Sequence, residues 1–197
     1  MHFSNGIIAP LIIEPLRYYF STAAKTSNLI WDADEKKRTV EIVESFDENR
    51  IPIQQKPRII VTRGGYEISK TGLSDNLAES GTIGDTKGLK DVRNLLFYDG
   101  QAQITIEARN KGTCELLADM VSHFIAWTRP ALCDSQGFNE FGLPMRVGDC
   151  TMLVDEDPQI SKYQVQISFP WRKEELWHVR NDGVIMKKIL NSVTRAV

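Results

Sequence analysis

Hydrophobic positions along this chain recur with two different periods, and the switches between them mark its elements. Leu16, Tyr19, Phe20 and Ala23 follow Pro15 at spacings of three and four, one face of an amphipathic helix. Proline is tolerated at a helix's first position, where its missing N–H would have no partner anyway, so a helix is expected from Pro15 to between Lys25 and Asn28. From Arg38 the period becomes two: Val40, Ile42 and Phe46 oppose Thr39, Glu41 and Ser45, with Val43 and Glu44 breaking the alternation. That pattern predicts a half-buried strand. A β-branched run, Pro57 to Thr62, predicts a second strand, and Gly64-Gly65 a turn into Tyr66–Lys70.

Leu95–Tyr98 and Gln101–Arg109 flank Asp99-Gly100, a dipeptide suited to a type I′ turn, and so predict an antiparallel hairpin. In its second strand Ala102, Ile104, Ile106 and Ala108 alternate with Gln103, Thr105, Glu107 and Arg109, one packed face and one wet one. Asn110 and Thr113 are candidate caps for a helix carrying Leu116, Leu117, Met120, Val121, Phe124 and Ile125, with Pro130 as its stop. Asp134 to Gly142 reads as loop. Tyr163, Val165, Ile167 and Phe169 alternate with Gln164, Gln166 and Ser168 in a late strand, followed by another over Trp171 to Val179. A last helix, capped by Asp182, carries Ile185, Ile189 and Val193.

The order is thus α-β-β-β-β-β-α-β-β-α. Hairpins dominate and repeated βαβ crossovers are absent, so the expected class is α+β: a mostly antiparallel or mixed β-sheet with helices packed on one face. One domain is expected over 1–197. Within it, 71–89 is rich in Gly, Asp, Ser and Thr and reads as a long flexible loop or hairpin arm.

Composition narrows the class of protein more than its function. The chain has 197 residues, of which 42% are hydrophobic and 25% charged, and 24 Lys plus Arg nearly balance 26 Asp plus Glu. A dedicated nucleic-acid binder would carry a basic surplus. The most apolar run, Ile7 to Leu16, is interrupted by Pro10, Glu14 and Pro15 and is too short to span a membrane. The N-terminus lacks a basic leader, so the mature chain is expected to start at Met1 inside a cell. Cys114, Cys133 and Cys150 are odd in number and widely spaced, which suits reduced thiols and gives neither a disulfide framework nor a metal knuckle.

Candidate chemistry is sparse. His2, His123 and His178 sit on separate elements and form no ligand spacing, and His123 is expected to pair with Asp119 four residues earlier on its helix. Cys114, near a helix start, could have a lowered pKa, but His123 and His178 are its only conceivable bases and no family signature accompanies it. Gly81 to Gly88 superficially resembles a phosphate loop without its Gly-Lys-Ser/Thr ending. Asp155-Glu156-Asp157-Pro158 lacks the ligand alternation of a calcium loop, and Asp32-Ala33-Asp34-Glu35 beside Lys36-Lys37-Arg38 reads as a self-compensating exposed loop. Neither an enzyme nor a bound metal or cofactor is expected. Trp171 and Trp177, flanking Arg172 to Glu175, suit a core edge or a subunit interface equally.

Three stretches together carry a family likeness: Ile104-Thr105-Ile106-Glu107-Ala108 running into Cys114-Glu115-Leu116-Leu117-Ala118-Asp119-Met120-Val121-Ser122-His123-Phe124, and later Tyr163-Gln164-Val165-Gln166-Ile167-Ser168-Phe169. With the N-terminal helix, the long polar insert and the terminal helix, the chain resembles the tail-terminator and neck family of tailed bacteriophages from about Pro10 to Arg195. The resemblance implies a virion structural protein at the head–tail junction. It implies a homo-oligomeric ring, usually a hexamer, that ends the tail tube and joins it to connector or collar proteins on the head side, with sheath protein a further candidate neighbour. DNA would pass through the lumen without specific binding, and neither a membrane nor a cofactor is involved. The expected arm or subunit-interface residues are Gly72, Leu73, Leu77, Ile83, Leu89, Trp171, Arg172 and Trp177. The alternatives are another tail or head-completion part, such as a baseplate or sheath-initiator protein, and a small intracellular enzyme.

Overall fold

The computed structural model describes residues 7–22, 28–45, 56–70, 92–154 and 161–179. These form helix α1 (Ile8–Thr22), strands β1 (Glu41–Glu44), β2 (Arg58–Lys70) and β3 (Val92–Ala108), helix α2 (Lys111–Gln136), and strands β4 (Phe138–Phe141), β5 (Arg146–Val147), β6 (Thr151–Val154) and β7 (Ser161–Val179). The strands make one mixed sheet in the order β1-β2-β3-β7-β4, with β5 and β6 also paired to β7. β1 runs parallel to β2, whereas β4, β5 and β6 pair antiparallel with successive parts of β7. The expected α+β class with a mixed sheet holds. The arm over 71–89 and the terminal helix over 182–193 lie outside the described residues, as does the acidic segment 155–158.

By chain contacts the protein forms two units, Met1–Glu67 with Asp99–Lys173, and Ile68–Tyr98 with Glu174–Val197. The first contains α1, α2, β1, β4, β5 and β6 and, among the described residues, most of the core. In the second, the described residues are all strand, and Tyr98 is buried.

Several local signals are overridden by burial. α1 begins at Ile8 and contains Pro15 in its interior, where a helix start was expected. Proline there removes a backbone donor at a cost of about 3 kcal/mol. Ile8, Ile12, Ile13, Leu16 and Phe20 are all buried along the same helix, each contributing about 1.5–3 kcal/mol, and together they outweigh that cost. α2 also runs through Pro130 to Gln136, six residues past the expected stop, although residues 126–136 are exposed or half-buried, and residues 134–142 are helix end and strand rather than loop. Its start is as expected: the Asn110 side-chain oxygen accepts from Gly112 N–H at 2.8 Å and Thr113 N–H at 3.4 Å. Its true end is Gly137, whose left-handed φ of 68° lets its N–H reach the Cys133 carbonyl at 3.1 Å. The buried stripe of α2 is Cys114, Leu117, Ala118, Val121, Phe124 and Ile125, and Leu116, expected in it, is exposed.

Both expected glycine turns are absent. β2 passes straight through Gly64-Gly65, and β3 through Asp99-Gly100, so the residues on either side form one strand each. The reason is space rather than turning. A Cβ on Gly64 would collide with the Gln101 carbonyl, and one on Gly100 with the Trp171 ring. β7 is also a single strand where two were expected. In β3 the predicted alternation is observed, with Ala102, Ile104, Ile106 and Ala108 buried.

β1 departs from its expected half-burial: Glu41, Ile42 and Val43 are all buried, as suits a strand in a parallel pair covered on both faces. Its edge is closed by α1, since the Arg17 guanidinium donates to the Ile42 carbonyl at 3.0 Å while pairing with Glu14 at 2.9 Å. Arg17 and Arg38 lie over the Trp31 ring at 5.1 and 5.5 Å. The loop over 32–38 is exposed for most of its length, as expected. Its acidic side chains fold it by accepting backbone N–H groups, Asp32 from Asp34 and Asp34 from Lys36, and Arg38 donates to the Asp32 carbonyl.

Candidate functional site

Two of the expected interface residues meet partners in the middle of the sheet. Trp171 and Arg172 are adjacent on β7, so their side chains leave opposite faces. Trp171 is only 1% exposed. It lies in the gap left by Gly100 and is flanked by Phe138 in an edge arrangement at 6.3 Å and Tyr66 at 6.4 Å. Phe138 continues the cluster through Phe141 at 5.3 Å to Phe169 at 5.4 Å from Phe141. The core-edge alternative therefore describes Trp171.

Arg172 is the accessible member of the pair. Its Nε donates to Asp99 Oδ1 at 2.5 Å and its Nη1 to Glu140 Oε1 at 3.4 Å, which ties β7 to both neighbouring strands. The hydrogen bond to Asp99 and the charges of Asp99 and Glu140 hold the guanidinium pKa above its ordinary value, so Arg172 stays charged at any working pH. One cation facing two carboxylates leaves this patch formally acidic by one charge. Next to it, Lys173 Nζ donates to the Gln136 carbonyl at 2.9 Å and lies 5.2 Å from the Phe138 ring centre. Such a patch can position and hydrogen-bond a basic or polar partner. Trp177 is in β7, and Gly72, Leu73, Leu77, Ile83 and Leu89 lie outside the described residues.

A second charged cluster escaped the sequence reading. Glu41 and Arg58 are register partners in β1 and β2, and Arg58 Nε donates to Glu41 Oε2 at 3.0 Å with both side chains almost wholly buried, 8% and 3% exposed for Arg58 and Glu41. Glu107 Oε2 of β3 is 4.0 Å from Arg58 Nη1. The signal that could have exposed it was Val43: an apolar residue two places from Glu41, on the same side of the strand, meant that side was buried too. On the opposite side, Arg63 Nε pairs with Glu44 Oε1 at 3.1 Å, about one third exposed.

The remaining candidates separate. Cys114 is fully buried, and desolvation, with the Cys150 thiol beside it, pushes its pKa up to about 12, the reverse of what a helix start could have done. Burial outweighs the helix start because the thiol faces the sheet, contacting the Ile106 carbonyl at 3.6 Å and the Tyr163 carbonyl at 3.4 Å. His123 is exposed on α2. Among the described residues no three His, Cys, Asp or Glu side chains are grouped as metal ligands, and no helix is long and apolar enough to cross a membrane. No protein-family model matches the chain, and no curated protein matches it significantly in sequence.

Proposed function

We propose that this chain is a virion structural protein of the head–tail junction of a tailed bacteriophage, forming a homo-oligomeric ring that ends the tail tube and joins it to the neck. The observation that supports this reading is spatial. The three stretches on which the family resemblance rests fall in β3, α2 and β7, and they are mutual neighbours: β3 pairs with β7, and the Cys114 thiol of α2 contacts a backbone carbonyl of each. A likeness confined to unrelated surface segments would carry no such coherence. The reading also uses the long strands. β2, β3 and β7 have 13, 17 and 19 residues, at least twice the usual strand length of about 5–6, and β2 and β3 flank the segment read as an arm.

In a ring built head-to-tail, each subunit offers one surface to the next and a different one to the previous. The Arg172, Asp99 and Glu140 patch supplies a polar surface for such a contact. A chain close to charge neutrality leaves passing DNA unheld, since each phosphate bound to a basic group would slow it. Light scattering on the eluting protein, followed by negative-stain imaging, tests the proposal. Rings with a central hole, or binding to the ends of purified tail tubes, are the expected result; a strictly monomeric protein that ignores tail tubes overturns it.

A further inference from the structure

Two of the three cysteines, far apart in sequence, share one site between α2 and the β6–β7 ladder. The register pairs Thr151 with Gln164 and Met152 with Tyr163, and Gly148 N–H donates to the Gln166 carbonyl at 2.8 Å. The chain between these contacts sets Cys150 beside Val165. Cys114 reaches the same stretch from the first turn of α2, its Sγ 3.4 Å from the Tyr163 carbonyl. Both cysteines thus lie against the same Tyr163–Val165 stretch of β7, Cys114 buried and Cys150 half-exposed. Cys133 cannot take the place of Cys150. It lies 19 residues further along α2, about 28 Å from Cys114 at 1.5 Å per residue.

We propose that Cys114 and Cys150 are a reversible dithiol–disulfide pair, closed by low-molecular-weight disulfides such as oxidised glutathione, whose closure ties the start of α2 to the segment joining β5 and β6. The more accessible Cys150, as thiolate, attacks one sulfur of the small disulfide and releases the first thiolate, leaving a mixed disulfide at Cys150. Cys114 then gives up its proton and attacks the Cys150 sulfur of that mixed disulfide, forming the internal S–S bond and expelling the second small thiolate. In total two protein thiols are oxidised and one small disulfide is reduced to two thiols. Burial and the neighbouring Cys150 charge both hold Cys114 protonated, up to about pKa 12; the first step removes that charge and so eases the second. Closure is therefore slow at neutral pH and faster as pH rises.

The full-length protein, incubated with excess oxidised glutathione, alkylated without reductant and mapped by mass spectrometry, tests this independently of the viral role. The expected product is a linked peptide pair joining Cys114 to Cys150, lighter by two hydrogens, reversed by dithiothreitol and melting at higher temperature than the reduced protein. The Cys133→Ser variant should give the same link at the same rate. A Cys150 adduct with glutathione that never passes to Cys114, a link through Cys133, or Cys114 and Cys150 both recovered as free thiols would each overturn the proposal.

Discussion

The Glu41–Arg58 pair and the Arg172–Asp99–Glu140 cluster use the same chemistry on the same sheet, yet their surroundings set them far apart in energy. Both join a guanidinium to carboxylates across neighbouring strands. Glu41 and Arg58 are withdrawn from water almost completely, whereas the side chains of Asp99, Arg172 and Glu140 keep 36%, 43% and 46% of their exposure. A buried pair is costly to form and more costly to halve, because the surviving partner becomes a charge without water or counterion. An exposed cluster loses little when cut, since water replaces the missing partner. The first is thus a structural commitment of β1 and β2, and the second is free to serve a contact.

The largest expected effect follows from halving the buried pair. Glu41→Leu takes from buried Arg58 the carboxylate its Nε donates to, and we expect a loss of about 3–5 kcal/mol in denaturant unfolding. Replacing both, Glu41→Leu with Arg58→Met, should restore most of that loss or exceed the parent's stability. A double variant as unstable as the single one would show that the pair's burial is not what distinguishes it.

Next comes the support under the exposed cluster. Gly100→Val drives a side chain into Trp171, and overpacking of this kind costs about 1–3 kcal/mol. Near-ultraviolet circular dichroism should show the Trp171 environment change. This separates the two faces of β7: the aromatic face carries stability, and the charged face next to it does not. An unchanged aromatic signal with full stability would mean that the close approach of Trp171 to β3 is not required.

What the sequence made legible follows the same division. Alternation in Gln101–Ala108 and Tyr163–Phe169, and the Asn110 cap, could be read because each is a local pattern whose cause lies within a few residues. Asp99-Gly100, Gly64-Gly65 and Pro15 misled because their ordinary local meanings were overruled by distant partners: Trp171 for Gly100, the Gln101 carbonyl for Gly64, and core burial for Pro15. Glycine can signal a need for space as well as a turn, and sequence alone does not say which chain will come close. The Cys114–Cys150 contact and the Glu41–Arg58 pair were hidden for a related reason. Each depends on strand register, which no single segment encodes. Of the expected interface residues, Arg172 could be read as a surface group from its charge, whereas the burial of Trp171 depended on β3 offering Gly100.

The partly exposed Arg63–Glu44 pair provides the intermediate case. Both side chains are about one third exposed and 3.1 Å apart. Glu44→Gln should cost about 0.2–1 kcal/mol, with the difference narrowing in high salt. A loss as large as that of Glu41→Leu would show that exposure does not grade these pairs.

Arg172→Ala is expected to have the smallest effect on folding, although its geometry is the richest of the three. Its guanidinium bridges Asp99 and Glu140, but all three groups already contact water, so the melting temperature should hardly move and should move less still in high salt. If the patch serves contact between subunits, its cost must appear elsewhere: the variant should elute as smaller species than the parent at equal concentration while unfolding at the same denaturant midpoint. Loss of stability in Arg172→Ala comparable to Glu41→Leu would reverse the assignment and make this cluster, too, part of what holds the sheet together.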